Sequence, residues 1–185
     1  MYFFKQLLSL KKVSKLSIIT CLYSITFLVL VFLGLMRWPI VAGDTDLWYH
    51  LNGGRYISEN MTLPVNSYFS FISPAKDWVD YFWLFQLLVY KIYSFSGYYG
   101  LIFLRSLIYL AVGIFLLKYL FKDLEQEDQY LYLVFIFSIS LLFLLPRSKL
   151  VRPHLFSYLF ILIFLYILEF NHRRVILLPI LAVLW

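Results

Sequence analysis

Asp44 and Asp46 are separated by a single threonine, and His50 follows Asp46 by four positions. Carboxylates so spaced can share a hard divalent cation such as Mg²⁺ or Mn²⁺, which takes oxygen ligands. Alternatively, one of them removes a proton as a general base. On a helix His50 falls on the face of Asp46, where it either completes a metal site or orients the carboxylate by hydrogen bonding. An interfacial histidine without such a role fits the spacing equally well, and the plain reading of the acidic pair is a solvated loop that caps a helix. Arg147, Lys149, Arg152 and His154 form the densest cationic cluster beyond the N-terminal lysines. Such a cluster suits phosphate recognition, or else is an ordinary basic loop flanking a membrane span. Arg105 lies inside an apolar run, where an arginine faces a polar cavity or a phosphate, or snorkels to the interface.

These groups need a scaffold, and composition says which kind. Of the 185 residues, 63% are hydrophobic and 22% aromatic, and the mean hydropathy is +0.82. A soluble domain of this length lacks the polar surface to cover so much apolar side chain. The apolar residues also come in long runs, so the expectation is an all-α, polytopic transmembrane protein. The net charge of +6 sits largely beside those runs, where Lys and Arg orient helices and meet anionic lipid. It therefore argues for membrane lipid as partner and against nucleic acid. The one cysteine, Cys21, reads as a small buried hydrophobe within the first run.

Spans are expected at about 16–36, 98–120, 130–145 and 155–168, with an incomplete run at 175–185. Lys5, Lys11, Lys12 and Lys15 precede the first span, which is longer than the ~7–15 residues of a signal peptide's apolar region and reads as a signal anchor with a cytoplasmic N-terminus. Residues 37–97 then form an external loop carrying two surface helices, at about 46–59 and 77–96. In the first of these, Gly53-Gly54 weakens the middle. The apolar core of 77–96 is only about ten residues long, against roughly 20 needed to span, and its Tyr and Trp content suits the interface. The balance of Lys and Arg is the same whether or not this segment spans, so length and chemistry decide. The chain is expected to be an N-terminal fragment of a single transmembrane module.

Asp46-Leu47-Trp48-Tyr49-His50, following a first span and preceding a surface helix, resembles the D-P-W-F-N-Y-R motif of oligosaccharyltransferase catalytic subunits. The order of elements is similar to that of protein O-mannosyltransferases and lipid A aminoarabinose transferases, all of the GT-C superfamily. More specifically, D-T-D-L-W-x-H-L-x-x-G, P-x-x-S-x-F-S-F, W-V-D-x-x-W-L-x-Q and R-P-H-L-F-S resemble a poorly characterised family of bacterial polytopic membrane proteins. Leu47 replaces the oligosaccharyltransferase proline and His50 its asparagine. Arg152-Pro153-His154 stands where those enzymes carry a second acidic motif, so the resemblance does not extend to metal binding by two acidic loops.

The resemblance implies a GT-C-like module with two juxtamembrane helices in its first external loop. The implied activity is transfer of a sugar from a polyprenyl-phosphate donor on the external face of a bacterial inner membrane. Asp46 and Asp44 would then be catalytic, and Arg105, Arg152, Lys149 and His154 would bind the lipid phosphate. Asp44, Asp46 and His50 are the candidate ligands of a divalent cation, and Lys76, Asp77 and Asp80 are candidates for lining the groove that would hold the lipid. The rival is a non-catalytic polytopic protein, a transporter or an assembly scaffold. The two readings differ in one geometric expectation: a transferase requires the acidic and basic loops on the same side.

Overall fold

The computed structural model describes residues 15–40, 44–67, 77–121 and 129–184. Among these the chain is all helix apart from turns, loops and one isolated antiparallel bridge between Asn66 and Asp77. Helix α1 (Lys15–Arg37) is apolar throughout and ends with Arg37 in its last turn, just before Pro39. Helix α2 (Thr45–Asn60) is of the opposite character. It opens with Asp44 at the N-cap position and Asp46 in its first turn, where a negative charge suits the helix dipole. It closes at Met61, which takes the left-handed conformation and donates its N–H to Ile57 O at 2.9 Å.

Helix α3 (Trp83–Leu120) runs 38 residues but is broken at Gly97, whose φ of 61° and ψ of −151° belong to a region open essentially to glycine alone. A continuous helix of this length would reach about 57 Å, nearly twice the hydrocarbon core of a bilayer. The break therefore separates two limbs. Residues 83–96 pack against α2, while residues 98–120 bury Leu101, Arg105, Ile108 and Val112, one every turn, against the rest of the bundle. The expected start of the first limb, at residue 77, is corrected to Trp83. Trp78 donates its N–H to Val65 O, and Asp80 accepts the Phe82 N–H, so residues 77–82 lead into the helix as an extended segment and a turn.

Helices α4 (Gln129–Ser148) and α5 (His154–Phe170) follow, then a 3₁₀ turn (His172–Leu177) and the short α6 (Leu178–Leu184). The expected run at 175–185 is thus divided, its first residues forming the 3₁₀ turn; Trp185 lies outside the described residues. Helices α1, α3 and α4 are long and apolar enough to cross a membrane, which makes the architecture that of an integral membrane protein. Leu28, Leu35, Tyr109, Val112, Phe137 and Leu141 form the core between these three helices. Hydrogen bonds between helices add to it: Tyr109 donates to Leu141 O, and the hydroxyls of Tyr23 and Ser138 lie 3.2 Å apart. Cys21 faces outward from α1 rather than into this core, because the inward face of that helix is drawn by Thr20, Ser24 and Leu28.

The seating of α2 on α3 explains a feature that propensity alone misreads. Gly53 and Gly54 are both buried. A Cβ at Gly53 would lie 1.8 Å from Gln86 Oε1, and one at Gly54 would lie 2.1 Å from the Gln86 carbonyl oxygen. The glycine pair costs helix propensity, and in exchange the two backbones approach closely enough to bury Leu47, Leu51 and Val89 in a second core with Leu101 and Val151.

Candidate functional site

The two cores meet at one end of the bundle, and most of the chemically distinctive side chains collect there. Arg152, in the turn between α4 and α5, reaches back to the start of α2. Its Nη2 lies 3.1 Å from Asp44 Oδ1 and its Nη1 lies 2.9 Å from Asp46 Oδ2. One guanidinium thus forks across both carboxylates, the planar arrangement that arginine is built for. The acidic and basic loops share a side.

The fork is asymmetric. The Asp44 side chain is 2% exposed, whereas that of Asp46 is 51% exposed and that of Arg152 is 28% exposed. Asp44 occupies the N-cap position yet makes no side-chain cap bond; its carboxylate goes to Arg152 instead. The capping role expected of it is replaced by an ion pair. Asp46 keeps half its surface open beside that pair.

His50 lies one turn further along α2 and turns inward, 5% exposed. The edges and faces of aromatic rings surround it, with Phe85 at 4.9 Å and Phe82 at 5.8 Å between centroids. Burial lowers its pKa from 6.5 to about 4, against the pull of Asp46 and Asp44 in the other direction, so the ring is neutral at pH 7. Its Nδ1 has no hydrogen-bond partner. The expected metal set of Asp44, Asp46 and His50 does not fit this arrangement. The histidine sits in an aromatic box, Arg152 already occupies the cationic position between the carboxylates, and no group of three His, Cys, Asp or Glu among the described residues could hold a metal.

Arg105 also departs from expectation. It is fully buried and faces neither a cavity nor the interface. Its Nη2 donates to Leu35 O at 3.1 Å and to Trp38 O, and its Nη1 donates to Lys149 O. The expected role toward a lipid phosphate does not fit this arrangement, since three backbone carbonyls engage both Nη atoms and the remaining Nε, though unpartnered, is buried with the rest of the side chain. Lys149 places its ammonium 3.6 Å from the centroid of the Trp38 ring. His154 Nε2 is 3.2 Å from Arg147 O, and its ring packs on Tyr158. Of the four residues expected to bind phosphate, Arg152 alone meets the acidic pair.

A second polar group lies at the start of α3, which also supplies Phe85 to the His50 ring. Asp80 is 8% exposed, and its Oδ1 accepts from the Phe82 N–H at 3.1 Å and from Gln86 Nε2 at 2.9 Å. Burial raises its pKa above the usual carboxylate range, more than these two bonds lower it. Tyr49 interacts with Gln86 and Trp78, and its hydroxyl pKa is raised by burial and then by Asp80. Gln86 was not picked out by its residue type, and Asp80 only loosely as lining for a groove. The available signal was the segment Trp78-Val79-Asp80…Trp83-Leu84…Gln86, which the resemblance had already singled out. It lands beside Asp44-Thr45-Asp46…His50…Gly54 and Arg152-Pro153-His154. Residues 68–76, which carry most of P-x-x-S-x-F-S-F and the expected groove residue Lys76, lie outside the described residues.

Against protein-family models, curated proteins and solved structures alike, the chain gives no match.

Proposed function

We propose that this chain forms the catalytic end of a membrane-embedded transferase of GT-C type, moving a sugar from a polyprenyl-phosphate donor to an acceptor at the external membrane face. The observation that carries the reading is the forked contact of Arg152 with Asp44 and Asp46, because it brings a basic and an acidic loop together beside a half-open carboxylate. Asp44, buried and paired, holds Arg152 in place. Asp46, with half its surface free, is the general base that accepts the proton of the incoming acceptor hydroxyl. Arg152, partly open, faces the phosphate that departs with the lipid.

The surroundings support an interfacial site. Helix α2 carries Asp46, His50, Asn52, Arg55 and Glu59 within 16 residues, too polar for hydrocarbon. The limb 83–96 packs on it and exposes Trp83, Leu84, Leu88 and Phe95, a composition suited to the headgroup boundary. Lys118, Arg173 and Arg174 lie toward the opposite end, where α3 and α5 finish near Tyr119 and Phe170. With Lys15 at the start of α1, that end fits the cytoplasmic side. Arg105 has no place in donor binding in this reading, and no step passes through a metal ion.

The test is Asp46→Asn in the full chain, assayed in membranes supplied with a labelled polyprenyl-phosphate sugar. Transfer falls by at least about 100-fold, the range of a lost general base, while the amount of monodisperse protein is unchanged. Undiminished transfer would remove Asp46 from the chemistry. The second reading, a non-catalytic polytopic protein, is favoured by one feature: both Nη atoms of Arg152 are already engaged by the protein itself. It expects the fork to act as a clamp, with no labelled product from the unmodified chain.

A further inference from the structure

We infer that Arg105 is the positioning residue of this end of the molecule: it fixes the exit of α1 against the turn that carries Arg152, and so sets the distance across which Arg152 meets Asp44 and Asp46. The argument begins with what the guanidinium touches. Leu35 supplies a carbonyl from the last turn of α1, one that also accepts the Trp38 N–H, while Trp38 and Lys149 supply the carbonyls directly after α1 and α4. The final carbonyls of a helix have no partner within it, and both helices point their negative dipole ends at the same spot. Arg105, on a third helix and fully buried, answers both ends with one cation.

Lysine could not do this as well. Its ammonium is a compact point charge, whereas the guanidinium presents donors in a fixed planar fork wide enough to address separate loops. No carboxylate takes part, so the position of the charge depends on backbone geometry alone. The consequence follows along the chain. Asp44 lies six residues beyond Trp38, and Arg152 lies three beyond Lys149. Arg105 thus ties the turn that bears Arg152 to the exit of α1, the segment that precedes the carboxylates in the chain. Lys149 stacked on Trp38 repeats the same connection through side chains. Release of Arg105 therefore lets the acidic and basic loops separate while the middle of the bundle, held by Leu28, Tyr109, Phe137 and Leu141, remains packed.

The kinetic part of this inference rests on the transferase reading, but the geometric part does not, and the experiment separates them. With Cys21→Ser as background, Arg37→Cys and Leu150→Cys are introduced together and treated with a short bis-maleimide. Neither residue belongs to the proposed site. A control chain carries Tyr23→Cys and Ser138→Cys, at a contact between α1 and α4 that Arg105 does not touch. Arg105→Met lowers the rate of 37–150 cross-linking at least tenfold and leaves the 23–138 rate unchanged; Arg105→Lys gives an intermediate 37–150 rate. Equal rates with arginine, lysine and methionine would overturn the inference. Should Arg105→Met lose both cross-links, Arg105→Lys decides, since it must keep the 23–138 rate and slow the 37–150 rate. The functional readout is rescue: covalently closing the 37–150 pair in Arg105→Lys restores transfer that the substitution had reduced. If Asp46→Asn leaves transfer intact while the cross-linking pattern holds, the transferase reading fails and the positioning role stands.

Discussion

Arg105 and Arg152 occupy the same end of the bundle, and each joins segments far apart in sequence, yet they do so by different means. Arg105 is fully buried and meets only backbone carbonyls. Arg152 remains 28% exposed at its side chain and meets two carboxylates. A carbonyl cannot be protonated, and it does not leave its helix end without unwinding it. A carboxylate can titrate, can exchange its partner for another anion, and can accept a proton from a substrate. The first arginine is therefore a fixed joint, and the second is a contact that chemistry can use. An arginine inside an apolar run does not become a ligand-binding residue because it is costly there. The cost is met by whichever acceptors lie nearest, and in this molecule they are helix ends.

The comparison is broken most directly at Arg105. Arg105→Met takes the side-chain donor from the partly buried Trp38 and Lys149 carbonyls, each worth about 1–3 kcal/mol when left unmade, while Leu35 O keeps the Trp38 N–H; relief from burying the charge offsets part of that loss. The expected net cost is on the order of 3 kcal/mol, read as a lower midpoint in thermal unfolding of the detergent-solubilised protein. A variant as stable as the parent would mean that the joint is dispensable.

Gly54→Leu breaks the other side of the comparison. Its Cβ alone would meet the Gln86 backbone oxygen at 2.1 Å, which α2 escapes only by shifting away from α3. Overpacking of this kind costs about 1–3 kcal/mol. Asp44 and Asp46 move with α2, whereas the acceptors of Arg105 lie on α1 and just after α4. The proposed transfer is lost, but cross-linking between Arg37→Cys and Leu150→Cys persists. Loss of both would show that the two arginines form a single cooperative joint.

What the sequence made legible follows the same division. The three long apolar helices, the break near residue 97 and the polar character of α2 are carried by local composition, and composition survives folding. The shared side of the two loops followed once the segment before Gly97 was judged too short to span. The role of Arg105 was not legible, because its partners are main-chain atoms and every residue offers the same carbonyl. The plain reading of the acidic pair as a helix cap holds for the position of Asp44 and not for its side chain, for a related reason: local chemistry favours the cap, and only tertiary structure brings Arg152 within reach. Gly53-Gly54 read as a weakness until the Gln86 backbone appeared opposite it.

The two arms of the Arg152 fork should also differ from each other. Asp44 is buried, so Asp44→Asn takes a charge from a desolvated pair and destabilises by about 1–2 kcal/mol. Asp46 is half exposed, and Asp46→Asn costs less than about 1 kcal/mol. Activity should not follow stability. In the transferase reading Asp46→Asn is the more damaging to turnover, although it is the milder for folding. Unfolding midpoints and transfer rates measured on both variants test this crossing, and a variant order that is the same in both assays would reduce Asp46 to a stabilising partner.

The smallest effect concerns pH, and it asks whether the neighbourhood of the fork is coupled to titration at all. His50 has its pKa lowered from 6.5 to about 4 by burial. Below pH 6.5 the unfolded chain binds a proton that the folded chain refuses, so stability is full above that pH and falls as the pH drops toward about 4. The slope from one such group is at most about 1.4 kcal/mol per pH unit. Asp80 acts in the opposite sense: its raised pKa means that the folded state takes up a proton more readily than the unfolded one, which favours the fold on acidification. His50→Gln should flatten the loss of stability between pH 6.5 and 4, and Asp80→Asn should steepen it. Arg105, whose hydrogen-bond partners are carbonyls that do not titrate, should leave the slope unchanged when replaced by methionine. A slope that shifts with Arg105→Met and not with His50→Gln would reverse the assignment of fixed joint and titratable contact.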